Sequence, residues 1–534
     1  MLDEFRVASD LLQIALNRYL NACLAIEHSH TKTHLQPGPQ NLTGLILVNE
    51  LPLISTFEAA LRQSKITILH SINQSPDLVP ISKLPTDILI HIFQKLVDIT
   101  HGIANFDGKV VSDYPLVLSH VCTHWRQAVF DSPSLWSHVS ISPKIKEDRR
   151  LLAYANFHKI RTKEGLVDLS IYNTFSSTPE IPGLFEFVGP YFGRIRSLAF
   201  GLVMRRSPKC THKDHGCLLA GGLKSSNGRL KRLIVKIWLL ESWGGPSDRL
   251  QWFMESSSNP PDHMSLRLDL PHEHLEAMLH PISELYLEGL SFKWTSKAYH
   301  GLTTLRLGRF YQGLTSIPES QLRNILTSSP QLQWLSVDLD ISQTTTSPDP
   351  VYMPYLRALI VQDMSILRLI QPGSDELTLS ILSDKLLNPT KGETFDDSLL
   401  NFFSRANITK FHSNGLLHEI SDARYLLSVA PRIQVLSLYY LICPDSSVDM
   451  LSDSSGSLKE LILNECEVEL SELRRMIQLY QIEKLVLCDS VNTPNGEVLS
   501  PDQVIVSDSD KTVVHYVSLK DMSLLLGQFL GPVY

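Results

Sequence analysis

Cysteine is scarce in this chain. The seven present (Cys23, Cys122, Cys210, Cys217, Cys443, Cys466 and Cys488) are odd in number and scattered over 534 residues. That excludes a disulfide framework and fits a reducing compartment. Positive charge is also short: 48 Lys and Arg stand against 56 Asp and Glu, a net charge of −8. No basic excess is left to neutralise phosphates, so no nucleic-acid partner is expected. No run approaches the roughly 20 apolar residues that cross a bilayer, so no membrane partner is expected either. The first residues carry Asp3 and Glu4 where an export signal would be basic, and Gln13, Asn17 and Arg18 interrupt the apolar residues that follow. The sequons at Asn41, Asn73 and Asn407 are therefore expected to be chance matches, and the chain is expected in the cytoplasm, the nucleus or both.

Signatures of catalysis are missing as well. There is no phosphate-cradling glycine loop, Gly-x-Ser-x-Gly elbow, His-Glu-x-x-His helix or dinucleotide fingerprint, so no catalytic residue and no cofactor are expected. Cys210, His212, His215 and Cys217 are ligand types that suit zinc. Their compression into eight residues lacks two separated ligand pairs, and they are expected to be loop residues. The same holds for His28, His30 and His34, and no metal site is expected. The acidic stretch Ser507–Asp510 is expected to be a solvated turn.

What is present is an ordinary folded composition, 43% hydrophobic and 19% charged, in a chain too long for one compact core. Residues 3–27 place Phe5, Leu12, Leu16, Tyr19, Cys23 and Ile26 at steps of three, four and seven, one stripe of an amphipathic helix. Such a helix packs on its own protein or pairs with another copy. A loop marked by Pro37, Gly38 and Pro39 follows, then a second helical stretch from about Glu50 to Asn73, weakened by Pro52 and β-branched residues.

The segment from Pro80 to Ser140 is the most informative. Pro85 sits where a helix begins, its missing N–H being no loss there, and Asp87 favours the helix start. Ile88, Leu89, Ile92, Phe93 and Leu96 then give one broad apolar face. Helix signal resumes after a polar interruption over His101–Asp113, with Leu116, Leu118, Val121, Cys122, Trp125 and Val129. It closes on Asp131-Ser132-Pro133-Ser134-Leu135-Trp136. The order Leu-Pro-x-Asp-Ile-Leu-x-x-Ile-Phe, Val-Cys-x-x-Trp-Arg, Ser-Pro-x-Leu-Trp resembles the F-box motif over about sixty residues. An N-terminal helix leading into it is similar to large F-box families of mushroom-type fungi. Two departures are the longer internal loop and Cys122-Thr123-His124 in place of small or basic residues.

That resemblance implies docking of a Skp-type adaptor of a cullin–RING ubiquitin ligase. By it, Leu84, Pro85, Ile88, Leu89, Ile92 and Phe93 are the candidate adaptor contacts. The helix carries more apolar surface than so small a module buries internally, which suits a docking face. Val121, Trp125, Leu135 and Trp136 are expected to hold the module together.

Beyond residue 160 a pattern of apolar, two others, apolar, one other, apolar returns ten times. It begins at Leu166, Ile195, Leu230, Ile282, Leu302, Leu332, Leu356, Ile433, Leu458 and Ile482. The late spacings, 25 and 24 residues, lie in the leucine-rich-repeat range, and Cys466 falls where that repeat takes Asn or Cys. Helical stretches such as Glu419–Ala430 and Leu470–Tyr480 separate the strands. The expected fold is therefore α+β and multidomain. An N-terminal helix (1–36), a linker and second helical stretch (37–79) and an all-α F-box module (80–140) lead into an α/β leucine-rich-repeat-like solenoid (141–518) and a tail (519–534). Strand alternation points Arg306, Trp334, Ser437, Tyr439, Glu460 and Lys484 outward, the candidate contacts for an unknown target protein. The two functions to separate are a substrate-recognition subunit of an SCF-type ligase and a ligase-independent scaffold.

Overall fold

The structure, a computed structural model, describes residues 2–32, 41–75, 77–102, 114–141, 156–173, 184–204, 213–226, 228–239, 254–256, 266–309, 316–342, 349–382, 397–417, 420–441, 457–488, 491–499, 504 and 512–517. The chain divides into two compact units, Met1–Pro85 and Thr86–Tyr534.

The first unit holds two long helices, α1 (Leu2–Lys32) and α2 (Asn41–Gln74), and a 3-10 turn at Pro80–Lys83. Asp3 and Glu4 lie in the first turn of α1, where negative charge is favoured. The two helices meet where the Tyr19 hydroxyl donates to Glu50 Oε2 at 3.0 Å. α2 begins nine residues before Glu50 and runs through Pro52, which the sequence reading took as an interruption. Proline removes one bond of the helical ladder there. The hydroxyls of Ser55 and Thr56, one turn on, donate to the Leu51 and Pro52 carbonyls at 3.3 and 3.0 Å.

The second unit opens with α3 (Thr86–Gly102), α4 (Tyr114–Ser119), α5 (Thr123–Asp131) and a 3-10 turn at Pro133–Trp136. One residue later it enters a sheet of fourteen strands, all parallel. They are β1 (His138–Ile141), β2 (Val167–Asn173), β3 (Ile195–Met204), β4 (Arg232–Leu239), β5 (Glu284–Glu288), β6 (Thr304–Gly308) and β7 (Trp334–Asp338). They continue as β8 (Ala358–Val361), β9 (Leu377–Leu382), β10 (Ile408–Asn414), β11 (Val435–Tyr439), β12 (Glu460–Asn464), β13 (Lys484–Cys488) and β14 (Val513–Val517). Each of these strands pairs with the next along the chain, so sheet order equals chain order.

The register explains the leucine pattern. Leu233, Leu285, Leu305, Leu335 and Leu359 are aligned on successive strands, and so are Leu436, Leu461 and Leu485; all are fully buried. Each contributes about 1.5–3 kcal/mol by leaving water. Connecting helices cover that side with residues at helical spacing: Leu322, Ile325 and Leu326 from Glu319–Ser328, and Leu473, Met476, Ile477 and Tyr480 from Leu470–Tyr480. One continuous core runs from Val139 to Val504.

Several strands leave the sheet by the same turn. Gly289, Gly415, Tyr440 and Glu465, each one residue past its strand, take φ of 77°, 71°, 63° and 47°. The first three donate their N–H to the last residue of the following strand, at 3.0, 3.1 and 3.3 Å. Glycine enters this left-handed region freely, whereas Tyr440 and Glu465 do so at a cost. In the first copy of the pattern a register shift between Val167 and Asp168 moves the buried leading position by one residue: Val167 is buried and Leu166 is 44% exposed.

Candidate docking surfaces

The helices after Thr86 build a small module around aromatic contacts. α3 packs on α4, α5 and the Pro133–Trp136 turn. Leu89, Phe93 and Val97, one turn apart, are buried, and the Phe93 ring lies 4.7 Å from that of Trp125. Cys122 caps α5, its sulfur accepting from the Trp125 N–H at 3.4 Å, so Cys122 fills a structural role at a position where the motif departs from the family. Trp136 is fully buried, and its indole N–H donates to the Val129 carbonyl at 2.9 Å. Its ring meets Phe130 at 5.9 Å and Phe157 at 5.1 Å, with Arg161 over Phe130 at 4.1 Å. Only Ser137 separates Trp136 from β1, so one buried ring ties the module to the first strand of the sheet.

The neighbouring stripe of α3 is exposed. Ile88, Ile92 and Leu96, also one turn apart, are 48, 37 and 39% exposed. The broad apolar face read from the sequence is thus two stripes. The one through Leu89 and Phe93 is spent inside the module, which corrects their assignment as surface contacts. The one through Ile88 and Ile92 is open. In the preceding unit Leu84 is half-buried and Pro85 exposed. Of the expected core residues, Leu135 and Trp136 are fully buried and Trp125 is half-buried, but Val121 is 54% exposed, because it lies in the turn between α4 and α5.

These residues lie within a recognised family. Residues 81–142 match the F-box-like family over that whole span. They form an F-box-like domain. Such a domain points to a ubiquitin-ligase adaptor role and to a Skp-type partner, and F-box proteins are typically non-catalytic adaptors. No curated protein matches the chain.

The outward side of the sheet following the F-box-like domain carries ion-paired ladders beside two apolar clusters, Ala199, Ile234 and Tyr286 in one and Ile360, Ile462, Val486 and Cys488 in the other. Opposite charges face each other on adjacent strands: Arg232 with Glu284 at 2.5 Å, and Lys484 with Glu460 at 2.7 Å. Lys236 lies 3.2 Å from Glu288, whose carboxylate is also 3.8 Å from Arg306. Burial pushes the Lys236 ammonium below the ordinary lysine value, with Glu288 opposing the shift. Trp334 is half-buried, its ring 5.9 Å from Tyr286, and burial drives the Tyr286 phenol up to about 12. Tyr439 donates to Glu465 at 2.8 Å and stacks edge-on with Tyr440 at 4.3 Å. Burial first, and the Glu465 hydrogen bond second, raise its pKa.

Of the outward residues expected to meet a target, Trp334, Tyr439, Glu460 and Lys484 remain partly accessible. Arg306 and Ser437, 8 and 1% exposed, do not. Strands spaced about 4.8 Å apart let neighbours on both sides cover the central row, so alternation gives direction without exposure. The ladder ion pairs were missed, although a signal existed. Arg232, Glu284, Glu460 and Lys484 occupy the same position of the six-residue pattern, so stacking the copies would have set opposite charges side by side.

Cys210 and His212, and the turn at Ser507–Asp510, lie outside the described residues, as do the long loop at 103–113 and the tail. Among the described residues no group of three or more metal-ligating side chains occurs, and no helix is long and apolar enough to cross a membrane.

Proposed function

We propose that this chain is the substrate-recognition subunit of an SCF-type cullin–RING ubiquitin ligase. The F-box-like domain docks a Skp-type adaptor, and the parallel sheet, in this reading a leucine-rich-repeat-like solenoid, holds a target protein. The protein acts in the cytoplasm or nucleus and performs no chemistry itself. It raises the effective concentration of target lysines at the ubiquitin-loaded enzyme.

The observation that carries this reading is the open stripe of Ile88, Ile92 and Leu96 on an F-box-like domain whose other apolar stripe is already internal. A helix with one stripe buried and a second left in water is shaped for a partner groove. Trp334, Tyr439, Glu460 and Lys484 are the proposed target contacts, and the Trp136 junction keeps adaptor and target in fixed relation.

Co-elution of the full chain with its host's Skp-type adaptor tests this. The wild type is expected to co-elute, and Ile88→Asp/Ile92→Asp to elute alone with unchanged helical circular dichroism. A folded wild type that leaves the adaptor behind would support a ligase-independent scaffold instead.

A further inference from the structure

We propose that the inward side of β14 is the docking surface for the chain's own next segment, residues 518–531, folded back over it as a short amphipathic helix that caps the sheet. The proposal concerns the last strand alone and is independent of the ligase reading. β14 is an edge strand, paired only with β13. Its register sets Val514 beside Leu485 and Tyr516 beside Leu487, so both belong to the side that faces the core. Leu485 and Leu487 are fully buried there, whereas Val514 is half-buried and Tyr516 is 46% exposed.

For the two strands before it, the cover comes from the chain that follows each strand. After β12 the helix Leu470–Tyr480 lays down Leu473, Met476, Ile477 and Tyr480. After β13, Val491, Leu499 and Val504 join the same core. The chain after Val517 lies outside the described residues. A stacked array whose last inward face stays bare needs a terminal cap with a polar outer side.

The sequence that continues from β14 has that form. Leu519, Met522, Leu526 and Phe529 recur at steps of three, four and three, flanked by Leu525 and Leu530. On a helix these six fall within one arc of about 140°, and Lys520, Asp521, Ser523 and Gln528 take the remainder. Leu524 alone departs from the pattern, on the polar side. Ser518-Leu519-Lys520-Asp521 is a capping pattern ahead of an apolar run, and Gly531-Pro532 is a helix stop.

Length agrees as well. A helix over residues 519–530 spans about 18 Å, and the five residues of β14 span about 17 Å, so the helix runs the full length of the strand. An uncovered end would offer Tyr516 and an unpaired strand edge to another chain. A cap on the inward side leaves the outward residues Trp334, Tyr439, Glu460 and Lys484 untouched.

Hydrogen exchange of the full chain, followed over Val513–Val517 and residues 522–530 at two concentrations about tenfold apart, is the test. Both segments are expected to be protected equally at the two concentrations. Leu526→Asp/Phe529→Asp is expected to speed exchange of both by at least about tenfold, while Leu524→Asp, on the polar side, leaves both as in wild type. Wild-type residues 522–530 exchanging like an unfolded peptide would overturn the proposal. Protection that grows with concentration, together with a sedimentation mass of twice 60.2 kDa, would assign the cover to a second copy and overturn it too. Equal losses in Leu524→Asp and in Leu526→Asp/Phe529→Asp would contradict the assigned face.

Discussion

His412 stands in the central outward row of β10 with its imidazole fully buried and its Nδ1 2.9 Å from the Ser437 hydroxyl on β11. Burial lowers its pKa from 6.5 to about 4. Between those values the unfolded chain binds a proton that the folded chain refuses. The group's stabilising effect is therefore complete above about pH 6.5 and lost as pH falls toward 4, by roughly 3 kcal/mol in all. Thermal melts at pH 7 and pH 4.5 should show a smaller acid drop in His412→Asn than in the wild type; equal drops would contradict the assignment. Nothing in the sequence marked His412, because burial of an outward residue depends on neighbours contributed by other strands. The same cause removed Arg306 and Ser437 from the accessible surface while leaving Trp334, Tyr439, Glu460 and Lys484 within reach of a partner. Leu89 and Ile88 make the point on a helix: both are apolar and adjacent, and only the module's packing decides which of them meets water.

At the scale of elements, the ten copies of the apolar pattern each mark a strand, and four strands escaped it for identifiable reasons. In β9 the leading apolar position is Glu376, in β14 it is Lys511, and β10 ends its pattern on Ser413. β1 begins from Trp136, which had been assigned to the helical module. A six-residue pattern detects a strand only where every inward position is aliphatic, whereas the sheet accepts Phe411, Ser413 and Tyr516 at the same positions of its register. Helix α2 was read too short because Pro52 and β-branched residues lower local helix propensity without fixing the outcome. The helix Leu470–Tyr480 ends on Gln481, which takes a left-handed conformation with φ 48° and is exposed. Glycine occupies that conformation without the side-chain clash, so Gln481→Gly should raise stability by about 0.5–1 kcal/mol, read as a higher Tm. An unchanged or lower Tm would show that the Gln481 side chain contributes contacts of its own.

At the scale of the whole molecule, the F-box-like domain flows into the sheet through Trp136 and Ser137, and fourteen strands follow in chain order. Alternating strands and helices at a period of about 25 residues made a parallel sheet legible in advance, since short crossovers through helices permit little else. The proposed function divides α3 in two: the stripe through Ile88, Ile92 and Leu96 is the proposed adaptor contact, while the stripe through Leu89 and Phe93 is buried inside the domain. Titration calorimetry of the full chain with its Skp-type adaptor, paired with melting curves, separates the two. Ile92→Asp should weaken adaptor binding at least tenfold and leave the Tm near that of wild type, whereas Leu89→Ala should lower stability by about 2–5 kcal/mol through the cavity it opens. Wild-type affinity retained by Ile92→Asp would contradict the account.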